Sequence, residues 1–225
     1  MKKLFGVIAL VALLAPIPAS ADIIGVNSAE WIGSRSGTAI NGIDGQGNWI
    51  ANTISLSWEI TFDVISGLYS YEYQFDHAVG ETGHFILQIS DGKTLDDFSN
   101  IVGGSPTINT YAGGASNPGM PNSFYGIKFD GTSGTTTTLS FQTLLAPIWG
   151  SFYAKNGQAG GLGLNAAWNT GLNSGNRPAA GATDFTYWIA TPDGASNVPT
   201  PEPASMALVG LGLAGLAARR RRARK

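Results

Sequence analysis

The chain contains no cysteine, and this absence removes a whole class of chemistry. Without thiols there is no disulfide, no thiolate nucleophile and no cysteine–zinc site. Whatever the compartment, a cysteine-free domain has to rely on its hydrophobic core for stability. The chain of 225 residues is long enough to bury such a core within one domain.

Charged residues are also scarce, at 12% of the chain, and the basic ones are unevenly placed. Between positions 22 and 200 there are five basic residues and fourteen acidic ones, a formal charge of −9. Phosphate contacts need lysine and arginine, so this acidic body argues against a nucleic-acid partner. The five basic residues of the body are Arg35, Lys93, Lys128, Lys155 and Arg177.

What the chain has in abundance is glycine, at 31 residues, together with 10% aromatic residues. This composition favours strands and turns over helices. Residues 53–64 alternate strictly between apolar and polar types, which predicts a long strand with one buried face. Strands over 68–77 and 84–90 follow, and the three together predict an antiparallel meander.

Further strands are predicted over four segments, at 124–130, 136–145, 149–154 and 184–191. Glycine-rich stretches at 103–122 and 156–182 are predicted to be loops. Many strands, polar turns and no helical period predict an all-β fold, a single antiparallel β-sandwich for which a jelly roll is one fitting topology.

Two groups of residues between positions 22 and 200 are candidates for metal binding. His77, Glu81 and His84 could hold zinc, but their spacing on a turn does not present both imidazoles as a helical His-Glu-x-x-His motif does. Asp91, Asp96 and Asp97 could supply oxygen ligands to calcium, although Asp-Gly and Asp-Asp are also ordinary turn residues. We expect neither a metal nor a cofactor, and keep the three aspartates as the candidates.

The sequence contains few candidates for catalytic residues. Glu59 and Asp63 share one strand face and Glu72 and Asp76 share the next, so a carboxylate pair for glycoside hydrolysis is geometrically possible. The simpler interpretation is the solvated face of a sheet. No Gly-x-Ser-x-Gly elbow occurs, and the sequence has only two histidines that could serve as the base of a catalytic triad. We expect no enzymatic activity.

Aromatic residues are a better hint of binding, since flat rings stack on sugars, although they also fill sandwich cores. The candidates for sugar stacking are Tyr69, Tyr71, Tyr73, Trp149, Tyr153, Trp168 and Trp188.

The N-terminus has the three parts of a secretory signal peptide. Two lysines precede an apolar run, and Ala19 and Ala21 provide the small residues that signal peptidase needs for cleavage before Asp22. The alternative is a retained membrane span, but the run is shorter than the roughly 20 apolar residues that cross a bilayer.

The C-terminus follows a proline-rich stretch with an apolar run, residues 204–218, and then a basic cluster. As a helix the run would be about 22 Å long, short of the ~30 Å hydrocarbon core, although snorkelling arginines could close the gap. The positive-inside rule would keep the cluster cytoplasmic and place the domain outside. The cluster consists of Arg219, Arg220, Arg221, Arg222, Arg224 and Lys225.

Pro201, Glu202 and Pro203, followed by an apolar segment and terminal arginines, closely resemble the PEP-CTERM sorting signal. The resemblance implies that the chain is a substrate of exosortase, a membrane transpeptidase-like cysteine protease of Gram-negative bacteria with extracellular polysaccharide matrices. It also implies that Pro201, Glu202 and Pro203 are the recognition motif and that processing occurs near them. Residues 149–157 and 167–171 resemble other exported PEP-CTERM proteins more weakly.

These features divide the chain into a signal peptide (1–21), a β-sandwich domain (22–198) and a sorting signal (199–225) with a short transmembrane helix. We expect an exported protein, anchored in the inner membrane with its domain periplasmic, then processed and sent to the cell surface or the extracellular matrix. The expected role is non-enzymatic, in the surface or biofilm matrix. The alternative is a carbohydrate-binding or carbohydrate-active sandwich that reaches extracellular polysaccharide by the same route.

Overall fold

The computed structural model shows an all-β domain built from two large antiparallel sheets. It describes residues 26, 28–37, 42–50, 53–157, 164–175, 177–178 and 182–192. The predicted signal peptide and the sorting signal with its expected transmembrane helix lie outside these residues. Within the described ranges, no helix is long and apolar enough to cross a bilayer.

Sheet I has five strands in the order β1-β3-β4-β9-β6. They are β1 (Ile32–Ser36), β3 (Ile54–Asp63), β4 (Leu68–His77), β9 (Thr136–Thr143) and β6 (Phe98–Val102).

Sheet II has six strands in the order β2-β12-β11-β5-β8-β7, and a separate pair joins β10 to β13. The sheet II strands are β2 (Ile43–Gln46), β12 (Ala166–Asn169), β11 (Phe152–Asn156), β5 (Thr82–Gln88), β8 (Phe124–Asp130) and β7 (Ser105–Tyr111). The pair consists of β10 (Pro147–Gly150) and β13 (Ile189–Pro192).

The alternation predicted for the longest hairpin is confirmed. Along β3 the apolar residues from Ile54 to Ile60 are buried and Phe62 is half-buried, while the polar residues between them lie on the outer face. The prediction is wrong at its end, because the strand stops at Asp63 and Val64 is 83% exposed in the following turn. Along β4 the tyrosines at 69, 71 and 73 and Phe75 are buried on the inner face. The two strands pair residue by residue from Ile54 opposite His77 to Asp63 opposite Leu68.

One hydrophobic core lies between the two sheets, which confirms the sandwich. The ring of Phe75 from sheet I has its centroid 6.0 Å from those of Phe85 and Phe152 of sheet II. Phe141 of sheet I and Phe129 of sheet II are 6.3 Å apart. These aromatic contacts hold the sheets face to face, as in other sandwich cores.

A second, smaller cluster covers the outer face of sheet II. Ile86 and Tyr153 on the sheet pack with Met120 from the segment after β7 and Leu172 from the 3-10 helix Thr170–Ser174. The middle of sheet II is therefore covered on both faces, and its strands lose the simple alternation of β3. This is why sequence periodicity did not reveal β12.

The predicted three-strand meander is wrong in its last step. β4 pairs with β3 and β9, whereas β5 crosses to sheet II and pairs with β8 and β11. Periodicity within a strand identifies its buried face but carries no information about its neighbour, so the crossing was not visible in the sequence.

Several predicted boundaries also differ from the structure. The strand predicted over 149–154 is two strands, because the chain leaves β10 at Gly150 and enters sheet II at Phe152. The strand predicted over 184–191 starts only at Ile189. Phe185 instead stacks on Trp149 with the ring centroids 4.9 Å apart. The two glycine-rich segments predicted as loops contain β7 and β12.

Candidate functional site

The outer face of sheet I carries a shallow concavity of about 270 Å³. Strands β3, β4 and β9 form its floor, and the irregular part of β6 forms one side. Its polar lining consists of Glu59, Thr61, Ser70, Glu72, Asn100, Ser140 and Gln142.

Glu59 and Glu72 both line this concavity and are direct neighbours across the β3–β4 ladder. Side chains directly opposite each other on antiparallel strands have Cβ atoms about 4.5–5.5 Å apart, and two like charges in such a pair are destabilising. Among the described residues, none of the ion pairs involves either glutamate. The pair is thus an unfavourable local arrangement on a polar face that also carries Asp63 and Asp76.

A short hydrogen-bond chain forms one wall of the concavity. The Asn100 amide donates to Oε1 of Gln142 at 2.6 Å, and Nε2 of Gln142 donates to the Ser70 hydroxyl at 3.0 Å. Asn100 has a φ of 51°, the left-handed region, and lies where the β6–β9 register shifts between Ser99 and Val102. Bulges of this kind redirect a side chain and are frequent beside functional sites. Sequence periodicity gave no signal for this residue.

The structure does not bring the other two candidate carboxylates into the concavity. Asp63 terminates β3 and accepts hydrogen bonds from the Ile65 amide at 2.9 Å and the Ser66 hydroxyl at 2.8 Å. These bonds lower the pKa of Asp63. Asp76 accepts from Gln74 at 2.8 Å and from the Thr136 hydroxyl at 2.7 Å. Both carboxylates therefore have local structural partners.

The two histidines lie in different surroundings and form no metal site with Glu81. His77 faces the core, where its ring lies 4.2 Å from that of Trp49 and its nitrogens contact the Val79 carbonyl and the Thr82 hydroxyl. His84 lies on sheet II beside Tyr153. Within the described ranges no group of three or more His, Asp or Glu residues is arranged to hold a metal ion.

Burial lowers the pKa of His84 to about 4, and Lys155 and Lys128 reinforce the shift. The Asp130 carboxylate lies 3.9 Å from Nδ1 of His84, too far for a hydrogen bond, and is 2.6 Å from the Lys128 ammonium. His84 is therefore neutral at pH 7, and Asp130 is an ion-pair partner of Lys128 and not of the histidine.

The aspartates proposed as calcium ligands lie around the 3-10 helix Leu95–Asp97. The Asp97 carboxylate accepts from the Thr94 amide at 2.8 Å and lies 3.4 Å from the Lys93 ammonium. Asp91 and Asp96 are exposed. Asp97 thus acts as a cap for this turn, and the structure does not group the three candidate aspartates as a calcium site.

Most aromatic residues considered for sugar stacking are buried. Tyr71, Tyr73 and Tyr153 are at most 1% exposed, and Trp149 is 2% exposed. The Tyr71 hydroxyl donates to the Leu145 carbonyl and the Tyr73 hydroxyl to the Ala190 carbonyl. Tyr69 and Trp188 are also buried, which leaves Trp168 half-buried on sheet II. The aromatic residues are therefore mainly core residues.

A comparison with protein-family models finds a match in the C-terminal tail. Residues 199–222 match the PEP-CTERM protein-sorting motif. This motif defines a class of exported proteins that carry a C-terminal membrane-anchor region and are processed by exosortase. The chain carries this sorting motif at its C-terminus.

The comparison with curated proteins finds no match, and neither does the comparison with solved structures. The family match covers the tail and not the β domain. The role of the β domain therefore has to be argued from its own surfaces.

Proposed function

We propose that this chain is a non-enzymatic surface or matrix protein, which the sorting signal delivers to the envelope or to an extracellular polysaccharide matrix. The sorting motif at residues 199–222 carries the proposal, because it implies export and passage through the membrane. Cleavage by signal peptidase after Ala21 and processing near Pro201, Glu202 and Pro203 would release the domain.

The outer face of sheet I supports a role in contacts with a hydrated matrix. Its outward residues are mainly hydroxyl and amide side chains, which both donate and accept hydrogen bonds. Those on β4 and β9 are Ser70, Gln74, Thr136, Thr138, Ser140 and Gln142. A broad face of this chemistry can bind many hydroxylated partners weakly, as a matrix component requires.

The concavity supports carbohydrate binding as a second candidate. Glu59 and Glu72 can accept hydrogen bonds from sugar hydroxyls, while Asn100 and Gln142 offer amide groups beside them. Sugar hydroxyls bridging the two carboxylates would also explain why a destabilising like-charge pair occurs here. Hydrolysis would additionally need a scissile bond held between the two carboxyl groups.

The matrix role is tested by following the mature protein in a polysaccharide-producing host that has exosortase. The proposal predicts that the released protein co-sediments with the matrix polysaccharide, and that the polysaccharide gains no reducing ends during incubation. Recovery of all mature protein as free monomer in the medium would contradict the matrix role, and new reducing ends would indicate an enzyme.

The carbohydrate candidate is tested by applying the purified full chain to a glycan array. Glu59→Gln and Glu72→Gln should each reduce binding, because each removes an acceptor from the concavity. Asp96→Asn is the matched control, since it removes one negative charge from an exposed position elsewhere. A blank array, or equal loss in all three variants, would remove the concavity as a sugar site.

A further inference from the structure

Three aliphatic side chains are strongly exposed at one end of the sandwich. Val64 is 83% exposed, Ile65 is 93% exposed and Leu144 is 50% exposed. Val64 and Ile65 form the turn between β3 and β4, and Leu144 directly follows β9. We call these three residues the apolar tip.

The apolar tip is one surface because the sheet brings its two segments together. Tyr69, at the start of β4, pairs with Thr143, at the end of β9. A Cβ built on Gly67 in the turn would lie 3.9 Å from Cδ2 of Leu144. The Asp63 carboxylate fixes the turn through the Ile65 amide and the Ser66 hydroxyl, so the aliphatic residues are presented by an ordered turn.

Both ends of the described domain lie at this same end of the sandwich. Pro192, the last residue of β13, pairs with Pro147, which is three positions after Leu144. The Val26 amide donates to the Pro147 carbonyl at 3.0 Å. The chain therefore leaves the domain toward the sorting signal beside the apolar tip.

The connection from the domain to the sorting signal is short. The matched motif begins at residue 199, seven positions after Pro192. The apolar run that would enter the bilayer begins at residue 204, twelve positions after Pro192, and twelve residues span at most about 43 Å at roughly 3.6 Å per residue. While the tail holds the chain in the membrane, this tether thus keeps this end of the domain within reach of the bilayer surface.

We propose that the apolar tip inserts into the lipid surface of the membrane that holds the sorting tail, and so orients the domain before processing. This proposal rests on the membrane passage implied by the sorting signal. The attraction is apolar, because the body carries a formal charge of −9 and offers little attraction to anionic headgroups. Contact with zwitterionic lipid is therefore expected to suffice.

The test uses the full chain, whose lack of native cysteine allows single-site labelling. Ile65→Cys and Leu144→Cys are labelled separately with an environment-sensitive fluorophore and reconstituted with phosphatidylcholine vesicles containing a nitroxide-labelled lipid. Ser133→Cys is the matched control, because Ser133 is exposed in the β8–β9 turn at the opposite end. We expect a blue shift and quenching by the lipid at positions 65 and 144 and neither at 133.

A second variant separates the tip from the tail. Ile65→Asp in the Leu144→Cys background should abolish the quenching at position 144 while the protein still floats with the vesicles. The fold is not at risk, because Ile65 is 93% exposed.

Each other outcome has a distinct meaning. Flotation with water-like emission at positions 65 and 144 would overturn the tip proposal and leave sorting intact. Failure to float would overturn membrane anchoring by the tail, and the tip proposal with it. A blue shift without vesicles that disappears on dilution would identify a second copy of the chain as the occupant in place of lipid.

Discussion

At the scale of single residues, the core of this protein is stabilised by aromatic rings whose polar ends reach backbone carbonyls. The Tyr73 hydroxyl donates to the Ala190 carbonyl at 2.9 Å and thereby links β4 of sheet I to β13. The Trp49 indole donates to the Val79 carbonyl at 2.9 Å. Each bond allows a large amphipathic side chain to be buried without leaving its polar atom unsatisfied.

Tyr73→Phe should therefore destabilise the domain by about 1–3 kcal/mol, because the buried Ala190 carbonyl loses its donor. Tyr187→Phe is the control, since Tyr187 is 39% exposed and its change should stay within about 0.5 kcal/mol. Urea unfolding of the two variants measures the difference. Equal midpoints would contradict a structural role for the Tyr73 hydroxyl.

His84 makes the stability of the domain depend on pH. Burial lowers its pKa to about 4, so between that value and the ordinary 6.5 the unfolded chain binds a proton that the folded chain does not. Stability is complete above pH 6.5 and falls as the pH drops toward 4, by up to about 3 kcal/mol.

His84→Gln should flatten this part of the profile relative to the wild type. The variant is needed because His77 also has a lowered pKa, and so do the carboxyls of Asp63 and Asp184, and all of them lower stability in acid. Urea unfolding at pH 7 and at pH 4.5 measures the effect. The same loss of stability between pH 7 and pH 4.5 in both proteins would show that protonation of His84 does not cause the loss.

The glutamate pair provides a third prediction at this scale. Glu72→Gln should raise the free energy of unfolding by about 0.2–1 kcal/mol, since it relieves the like-charge pair with Glu59. The control Asp96→Asn, at an exposed site, should have little effect. A destabilised Glu72→Gln would mean that the carboxylate has a structural partner and would weaken the interpretation of the concavity as a ligand site.

At the scale of elements, the β3–β4 hairpin was predictable and the sheet around it was not. Strict alternation from Ile54 to Phe62 identified the buried face of β3, and the tyrosines of β4 identified its partner face. The pairing of β4 with β9 depends on contacts between residues far apart in sequence, which local periodicity does not report. The left-handed Asn100 that shapes the concavity results from a register shift between β6 and β9, again a long-range feature.

Gly67 tests how tightly the hairpin turn is specified. Its φ is +72°, and the nearest side-chain atom to a Cβ placed there is an ordinary contact at 3.9 Å. Gly67→Ala should cost about 1 kcal/mol through backbone strain alone, whereas Gly67→Asn should cost less because asparagine tolerates this region. Chemical denaturation of both variants checks the ranking, and equal costs would show that space and not φ is limiting.

At the scale of the whole molecule, the chain consists of a β domain with a polar outer face and a C-terminal tail that carries a sorting motif. The tail could be predicted from sequence because its three parts occur in a fixed order over adjacent residues. The surfaces of the domain could not, because they arise where strands from distant segments meet. Seven aromatic residues considered for sugar stacking illustrate the difference, since burial and not residue type decides their role and six of them are core residues.

The most direct test of this account compares the intact chain with a Pro201→Ala, Glu202→Ala, Pro203→Ala variant in hosts with and without exosortase. The measurements are the intact mass of the mature protein and its distribution among membrane, surface and medium. We predict that only the intact chain in the exosortase host loses C-terminal residues and leaves the inner membrane, while the variant retains Lys225 and stays bound. Equal masses and equal fractionation of the two proteins in that host would contradict the account.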